Sequence, residues 1–181
     1  MSAGSTTHQL LHPARPVRQH SGRMGIRYLA ISVDTDDYDR ISKGPCPSCG
    51  SRPHLRDDDY EEERKTLDLD KSWGYFQSFF ASGAPRPAAA LVGGEVTNTP
   101  RGWISYQGAI SPLDVAAIAT DLATITTEEL RHYFLVRGHW GDGPDDRAQQ
   151  DLEYVAQYLE GAQSFTAQVA QAGRGIVYYI G

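Results

Sequence analysis

The sequence predicts an α+β fold: one small, mainly antiparallel sheet packed with helices, ending in a long carboxy-terminal helix and a last strand. Three observations carry this. Runs of strand formers stand near both ends, GIRYLAISV at residues 25–33 and IVYYI at 176–180. Between them, LDLDKSWGYFQSFFASG (67–83) places Leu69, Trp73, Phe76 and Phe80 at i, i+4, i+7 and i+11, with Phe79 beside them, the spacing of one helical face. Before the last strand, residues 147–172 keep a broad apolar stripe of Leu152, Val155, Tyr158, Leu159, Ala162, Phe165 and Val169, the pattern of a long buried-face helix.

Taken in order, residues 1–23 hold two prolines, many small polar residues and no sustained periodicity, and read as a disordered tail. The tail lacks the apolar core of a secretory signal, while its arginine-rich, acid-free composition is shared with organelle transit peptides. Met24 is a candidate for the true start. Residues 25–33 read as a largely buried first strand, and Asp34 or Thr35 can cap a short helix through Ile41. Residues 44–63 change character, with glycine, proline and cysteine first and then RDDDYEEER; they read as an inserted or remodelled loop.

For the aromatic helix, Thr66 is the expected cap, with Asp68 and Asp70 in a first turn whose dipole favours negative charge. Lys71 and Ser78 point towards water and Gly83 supplies the stop. Four aromatics on one side of so short a helix are a large apolar payload, so the sheet and the carboxy-terminal helix are expected to cover them.

Residues 87–92 read as a buried strand ending at the Gly93-Gly94 turn, and 102–107 as another short strand. Ser111 with Pro112 is a helix start, cap then proline at the first position, followed by Asp114. Its expected buried stripe is Leu113, Ala117, Ile118 and Leu122. Thr126 begins a further helix with Glu128 and Glu129 in its first turn, running to about Phe134. Residues 139–146 are a loop, and Gly173 closes the long helix. The first and last strands are expected to lie side by side.

Several of these stretches together resemble one family. MGIRYLAISV, LDLDKSW, ALVGGE at 90–95, ISPLDVAAIATDLATITTEEL at 110–130 and the closing DLEYVAQYLEGAQSFTAQVAQAGRGIVYYI follow the order and spacing of the YfbM-like proteins of bacteria. The resemblance covers residues 24–181 and implies a single compact α+β domain of the cytoplasm with no established activity, so it carries over no catalytic residue. Residues 44–63 depart from the family pattern.

Composition narrows the function classes. With 181 residues, 40% hydrophobic and 22% charged, the chain suits one ordinary globular domain with a real core. No apolar run approaches the roughly 18 residues needed to span a bilayer. The formal charge is -6; the acid-free tail contributes three arginines, so the remainder carries -9. An acidic body disfavours nucleic acid as a partner and suits a basic protein surface. Two cysteines three residues apart make no disulfide framework, which points to a reducing cytoplasm.

The best-defined chemical motif is GPCPSCG. Cys46 and Cys49 have the spacing of half a zinc knuckle, in which the turn lets both thiolates face one ion, and His54 downstream is a candidate third ligand. A metal-free loop with no cofactor is the first expectation. Zinc and a redox dithiol are the alternatives, and no other cofactor is indicated. Asp68, Asp70, Lys71, Trp73 and Glu95 form the next group: a polar pocket beside an indole, or else a helix start, a satisfied glycine turn and a core tryptophan. His132 and His139 have no metal spacing and read as surface residues, and GDGPDD reads as a turn. No Walker loop, GxGxxG after a strand, or GxSxG elbow is present.

Two functions follow as expectations. The first is a non-enzymatic protein-binding or adaptor domain, of immunity type for instance, with a basic protein partner. The second is a small-ligand binder or enzyme with a pocket around Asp70, Lys71, Trp73 and Glu95. A concave site gathering those groups would favour the second.

Overall fold

The two strand-forming runs at the ends of the chain find each other. In the computed structural model, which describes residues 26–44, 64–94, 97–99, 102–104, 106–137 and 145–181, β1 (Tyr28–Val33) pairs antiparallel with β6 (Gly175–Ile180). β2 (Thr66–Asp70) adds beside β1 and β5 (Tyr106–Ile110) beside β6, giving the order β2-β1-β6-β5, antiparallel throughout. β3 (Thr97–Thr99) and β4 (Gly102–Ile104) form a separate hairpin.

Strand alternation sorts the sheet between two clusters. Tyr28, Ala30, Ile176, Tyr178 and Ile180 enter the main core, while Ile31, Val33 and Val177 meet Ile41 in a smaller one. Ile41 belongs to α1 (Thr35–Ser42), which is capped by Asp34, whose carboxylate accepts the Asp37 N–H at 2.8 Å. Asp37 also accepts from Arg40 and Arg64, each at 2.7 Å, which ties α1 to the start of β2. Burial pushes the Asp37 carboxyl up, but the two guanidinium hydrogen bonds outweigh it and hold the group below its usual range.

Three further helices cover the main core. In α3 (Pro112–Leu122), Ser111 Oγ accepts the Asp114 N–H at 3.1 Å and Pro112 occupies the first position, as the sequence implies. The stripe differs: Val115, Ile118 and Leu122 are buried, whereas Leu113 is 80% exposed and Ala117 is exposed too. Leu113 lies two residues before Val115, about 200° round the helix, so the two cannot share a face. α4 spans Thr127–Arg137 and α5 Asp145–Gln171. α5 buries every residue of its expected face except Tyr158, which is half-buried. Gly173, at φ 65°, lets the chain turn back so that the Arg174 N–H reaches the Val169 carbonyl at 3.1 Å and β6 can begin.

Two expected elements come out differently. LDLD is strand, not helix start: Leu67 and Leu69 are buried, alternating with exposed Thr66 and Asp68, and the backbone pairs with β1. Thr66, Asp68 and Asp70 therefore sit on β2 rather than in a cap and first turn. α2 (Trp73–Ala81) begins only after a turn at Asp70 (φ 45°), which the Ser72 hydroxyl fixes by donating to the Leu69 carbonyl at 2.6 Å. Residues 87–92, expected as a strand, form a 3-10 helix (Pro87–Val92). Its buried residues Ala88, Leu91 and Val92 fall three and four apart, which suits a short helix packed on one side.

The aromatic side of α2 is covered. Phe76 and Phe80 are buried, and Trp73 and Phe79 are half-buried against the main core. Much of the cover comes from rings: Tyr133 packs edge-on against Phe79 (5.4 Å between centroids), while Phe134 and Tyr154 pack against Tyr75. Among the described residues, no helix is long and apolar enough to cross a membrane.

Candidate functional site

Of the residues the sequence groups into a polar pocket, Glu95 lies outside the described residues, as do Cys46, Cys49 and His54. The zinc reading therefore rests on sequence alone. Asp68 and Asp70 meet at the end of β2, where Asp68 Oδ1 accepts the Asp70 N–H at 2.6 Å. Asp70 Oδ1 faces Arg27 Nε at 3.2 Å, and its Oδ2 accepts the Tyr154 hydroxyl at 3.0 Å. The same tyrosine oxygen accepts the Lys71 N–H at 3.2 Å. Burial, with help from the neighbouring Asp70, pushes the Tyr154 phenol above its usual value. These bonds fasten the β2–α2 turn to α5. Trp73 turns elsewhere, donating its indole N–H to the Ile26 carbonyl at 3.4 Å. Among the described residues, no group of three His, Cys, Asp or Glu side chains could hold a metal ion.

A second network forms around the end of the 3-10 helix, where four successive carbonyls each accept a side-chain donor. The Tyr28 hydroxyl donates to Leu91 O at 2.8 Å, and Gln77 Nε2 to Val92 O and Gly94 O at 2.6 and 2.7 Å. The Tyr178 hydroxyl donates to Gly93 O at 2.6 Å. Tyr178 also stacks on Tyr28, centroids 5.5 Å apart, and meets Tyr106 at 6.0 Å. Burial raises the phenol pKa of both Tyr28 and Tyr178. At the other end of the segment, Asp121 accepts the Ala88 N–H at 2.8 Å and a two-pronged contact from Arg86. The sequence shows none of this, because it depends on cross-strand register: Gly108 stands opposite Tyr178 only once β5 and β6 pair.

The third feature is a groove of about 540 Å³ between α2 and α4. α4 starts with a capping box in which Thr126 Oγ1 accepts the Glu129 N–H at 3.1 Å and Glu129 Oε2 accepts the Thr126 N–H at 2.9 Å. That start sets the helix's rotation. Leu130 and Phe134 are buried, leaving Glu128, His132, Leu135 and Val136 at i, i+4, i+7 and i+8 on another side. Leu135 and Val136 are 68% and 69% exposed. Phe79, Tyr133 and Val136 give the groove apolar walls, and Glu128, Glu129 and His132 line it too. His132, a bland surface histidine in the sequence, thus stands beside two glutamates and an aromatic wall. The signal for this site in the sequence is Val136, lying just beyond the expected helix end at Phe134.

A family description, domain of unknown function DUF1877, matches residues 24–179. The chain belongs to the DUF1877 family. The resemblance to YfbM-like proteins holds at the level of structure as well. YfbM from Escherichia coli, itself described as a protein of unknown function, matches with a TM-score of 0.58 at 17% identity, covering 87% of this chain and 100% of that one. At that identity the likeness shows a shared fold, which in this DUF1877 chain is a four-stranded antiparallel sheet with helices, then a long helix and a last strand. Comparison with curated proteins gives no match. The α2–α4 groove and the tyrosine network of this DUF1877 chain are therefore read from its own geometry.

Proposed function

We propose that this protein is a cytoplasmic, non-enzymatic binding domain that takes a basic, amphipathic segment of another protein into the α2–α4 groove. One observation carries the reading: α4 is apolar on two sides, and only one of them is used by the core. Leu130 and Phe134 are buried, while Val136 stays in water beside Phe79 and Tyr133, with Leu135 exposed next to it in the chain. Apolar residues at helical spacing beside a groove are what a partner helix packs against. Glu128 and Glu129 set the sign of that partner, and the net charge of -6 would steer it in. An adaptor or immunity-type role fits such binding. The rival pocket around Asp70, Lys71 and Trp73 has less in its favour, since Asp70 is occupied in fastening the β2–α2 turn to Arg27 and Tyr154.

The test is affinity capture with wild type and a Val136→Asp variant. Val136 is exposed, so the substitution should leave stability within about 0.5 kcal/mol of wild type. Wild type should retain a basic partner at low salt and lose it progressively above about 0.15 M, where charges are screened within about 8 Å. The variant should bind that partner at least about tenfold more weakly, the loss expected of an apolar anchor at the centre of an interface. Equal retention by both proteins would remove the groove from the account.

A further inference from the structure

A second concave site lies on another side of the molecule. A cleft of about 520 Å³ opens between the 3-10 helix, β5 and the first turns of α3. That volume falls within the range of small-molecule sites. We propose that it binds a small organic amine in its ammonium form.

Two of its walls are aromatic and fixed in place. Tyr106 and Tyr178 line the cleft with ring centroids 6.0 Å apart. Tyr178 is held at its far end by the 2.6 Å hydrogen bond to Gly93 O and along one face by Tyr28. Glycines lie directly against both rings: a Cβ on Gly94 would come within 2.2 Å of a Tyr106 ring carbon, and one on Gly108 within 2.3 Å of a Tyr178 ring carbon. The rings are thus seated in the backbone, and a ligand need not order them on binding. Ile110 and Ile118, both buried, complete an apolar bed.

The charge of the cleft selects the ligand. Asp114 lines it, and the Ser111 hydroxyl holds this carboxylate by donating to Oδ2 at 2.7 Å. No lysine, arginine or histidine is among the described lining residues. A phosphate or carboxylate would meet a like charge and no cation. A neutral molecule would gain nothing from the carboxylate. An ammonium group with a flat apolar body satisfies both parts, since the carboxylate attracts the charge and the apolar bed beside Tyr106 receives the body.

Three probes of nearly one shape separate these outcomes: benzylammonium, benzyl alcohol and benzoate, titrated into the full chain at neutral pH and followed by amide shifts of Gly94, Gly108 and Ala117. Benzylammonium should bind, benzyl alcohol about tenfold more weakly, corresponding to about 1.4 kcal/mol of charge attraction, and benzoate not at all. Ala117→Leu, which fills the exposed mouth, should abolish binding of every probe. Asp114→Asn should bring benzylammonium to within about twofold of benzyl alcohol, and it serves alone should the leucine variant fail to fold. Absence of benzylammonium binding in wild type, equal binding of all three probes, or a benzylammonium preference that survives Asp114→Asn would overturn the proposal.

Discussion

Replacing Gly108 by alanine should lower the stability of the fold by about 2–3 kcal/mol, the cost of overpacking a filled site with no room to relax. The new methyl carbon would stand 2.3 Å from the Tyr178 ring. Such a clash is slight when a side chain can swing aside, but Tyr178 is only 4% exposed, stacked on Tyr28 and bonded to Gly93 O. Moving the ring breaks that hydrogen bond and disturbs the carbonyl end of the 3-10 helix. Alanine's smaller unfolded-state entropy recovers part of the loss, up to about 1 kcal/mol, which keeps the net figure below the raw steric cost. Urea midpoints supply the measurement. In a Tyr178→Leu background, where the ring is gone, the same exchange should cost under about 1 kcal/mol. An unchanged cost in that background would show that Tyr178 is not the obstacle.

Asp121→Ala should have a comparable effect, about 2–3 kcal/mol, through charge rather than volume. Asp121 accepts Arg86 Nε at 2.9 Å and Nη2 at 2.8 Å, and also takes the Ala88 N–H. Removing it leaves a guanidinium near the Phe80 ring, 5.8 Å from its centroid, and an unsatisfied backbone donor. Fully buried pairs broken on one side lose about 3–5 kcal/mol; here the side chains are 23% and 17% exposed, so the loss is smaller.

The effect should depend on pH with a definite sign. Hydrogen bonding from Arg86 holds the Asp121 carboxyl below its ordinary value of 3.8, with burial opposing and the Ala88 N–H assisting. A depressed carboxyl stabilises the fold above its unfolded pKa and ceases to do so as pH falls through the folded one. The stability gap between wild type and Asp121→Ala should thus be full at neutral pH and close below about 3.8. A gap that persists unchanged to the acid end would mean that the ionised pair is not its source.

Both substitutions act on one segment. Arg86 to Gly94 is held at its start by Asp121 and at its end by Tyr28, Gln77 and Tyr178, and it walls the proposed amine cleft. None of its partners is near it in sequence, which is why its shape was hard to read. PAAALV is short and apolar, and such a run has the same composition as strand or helix. LDLDKSW was ambiguous for a related reason. Leu69, Trp73, Phe76 and Phe80 keep helical spacing, while Leu67 and Leu69 alternate like a strand, and pairing with β1 decides between them.

Of the local capping signals, three held and the one at Thr66 gave way to strand pairing. Asp34, Ser111 and Thr126 each cap a helix at or beside the expected position, because capping involves only the next three residues. The strands at the two ends pair as expected, since each is rich in strand formers and bounded by glycine or a cap. The candidate sites were less legible. Asp68, Asp70 and Lys71 do gather, but as a turn fastened to α5, and Tyr154 lies more than eighty residues along the chain from them. The α2–α4 groove needs Phe79 and Tyr133 to meet across two helices.

Whether this groove receives a basic amphipathic segment can be read by amide-shift mapping. A helical peptide with leucine and lysine on opposite faces would be titrated into the labelled protein. Shifts are expected at Phe79, Ser82 and along Thr126 to Val136, weakening as salt is added. Shifts confined to other faces of the molecule, or a groove left silent by a peptide that binds, would contradict the proposed binding.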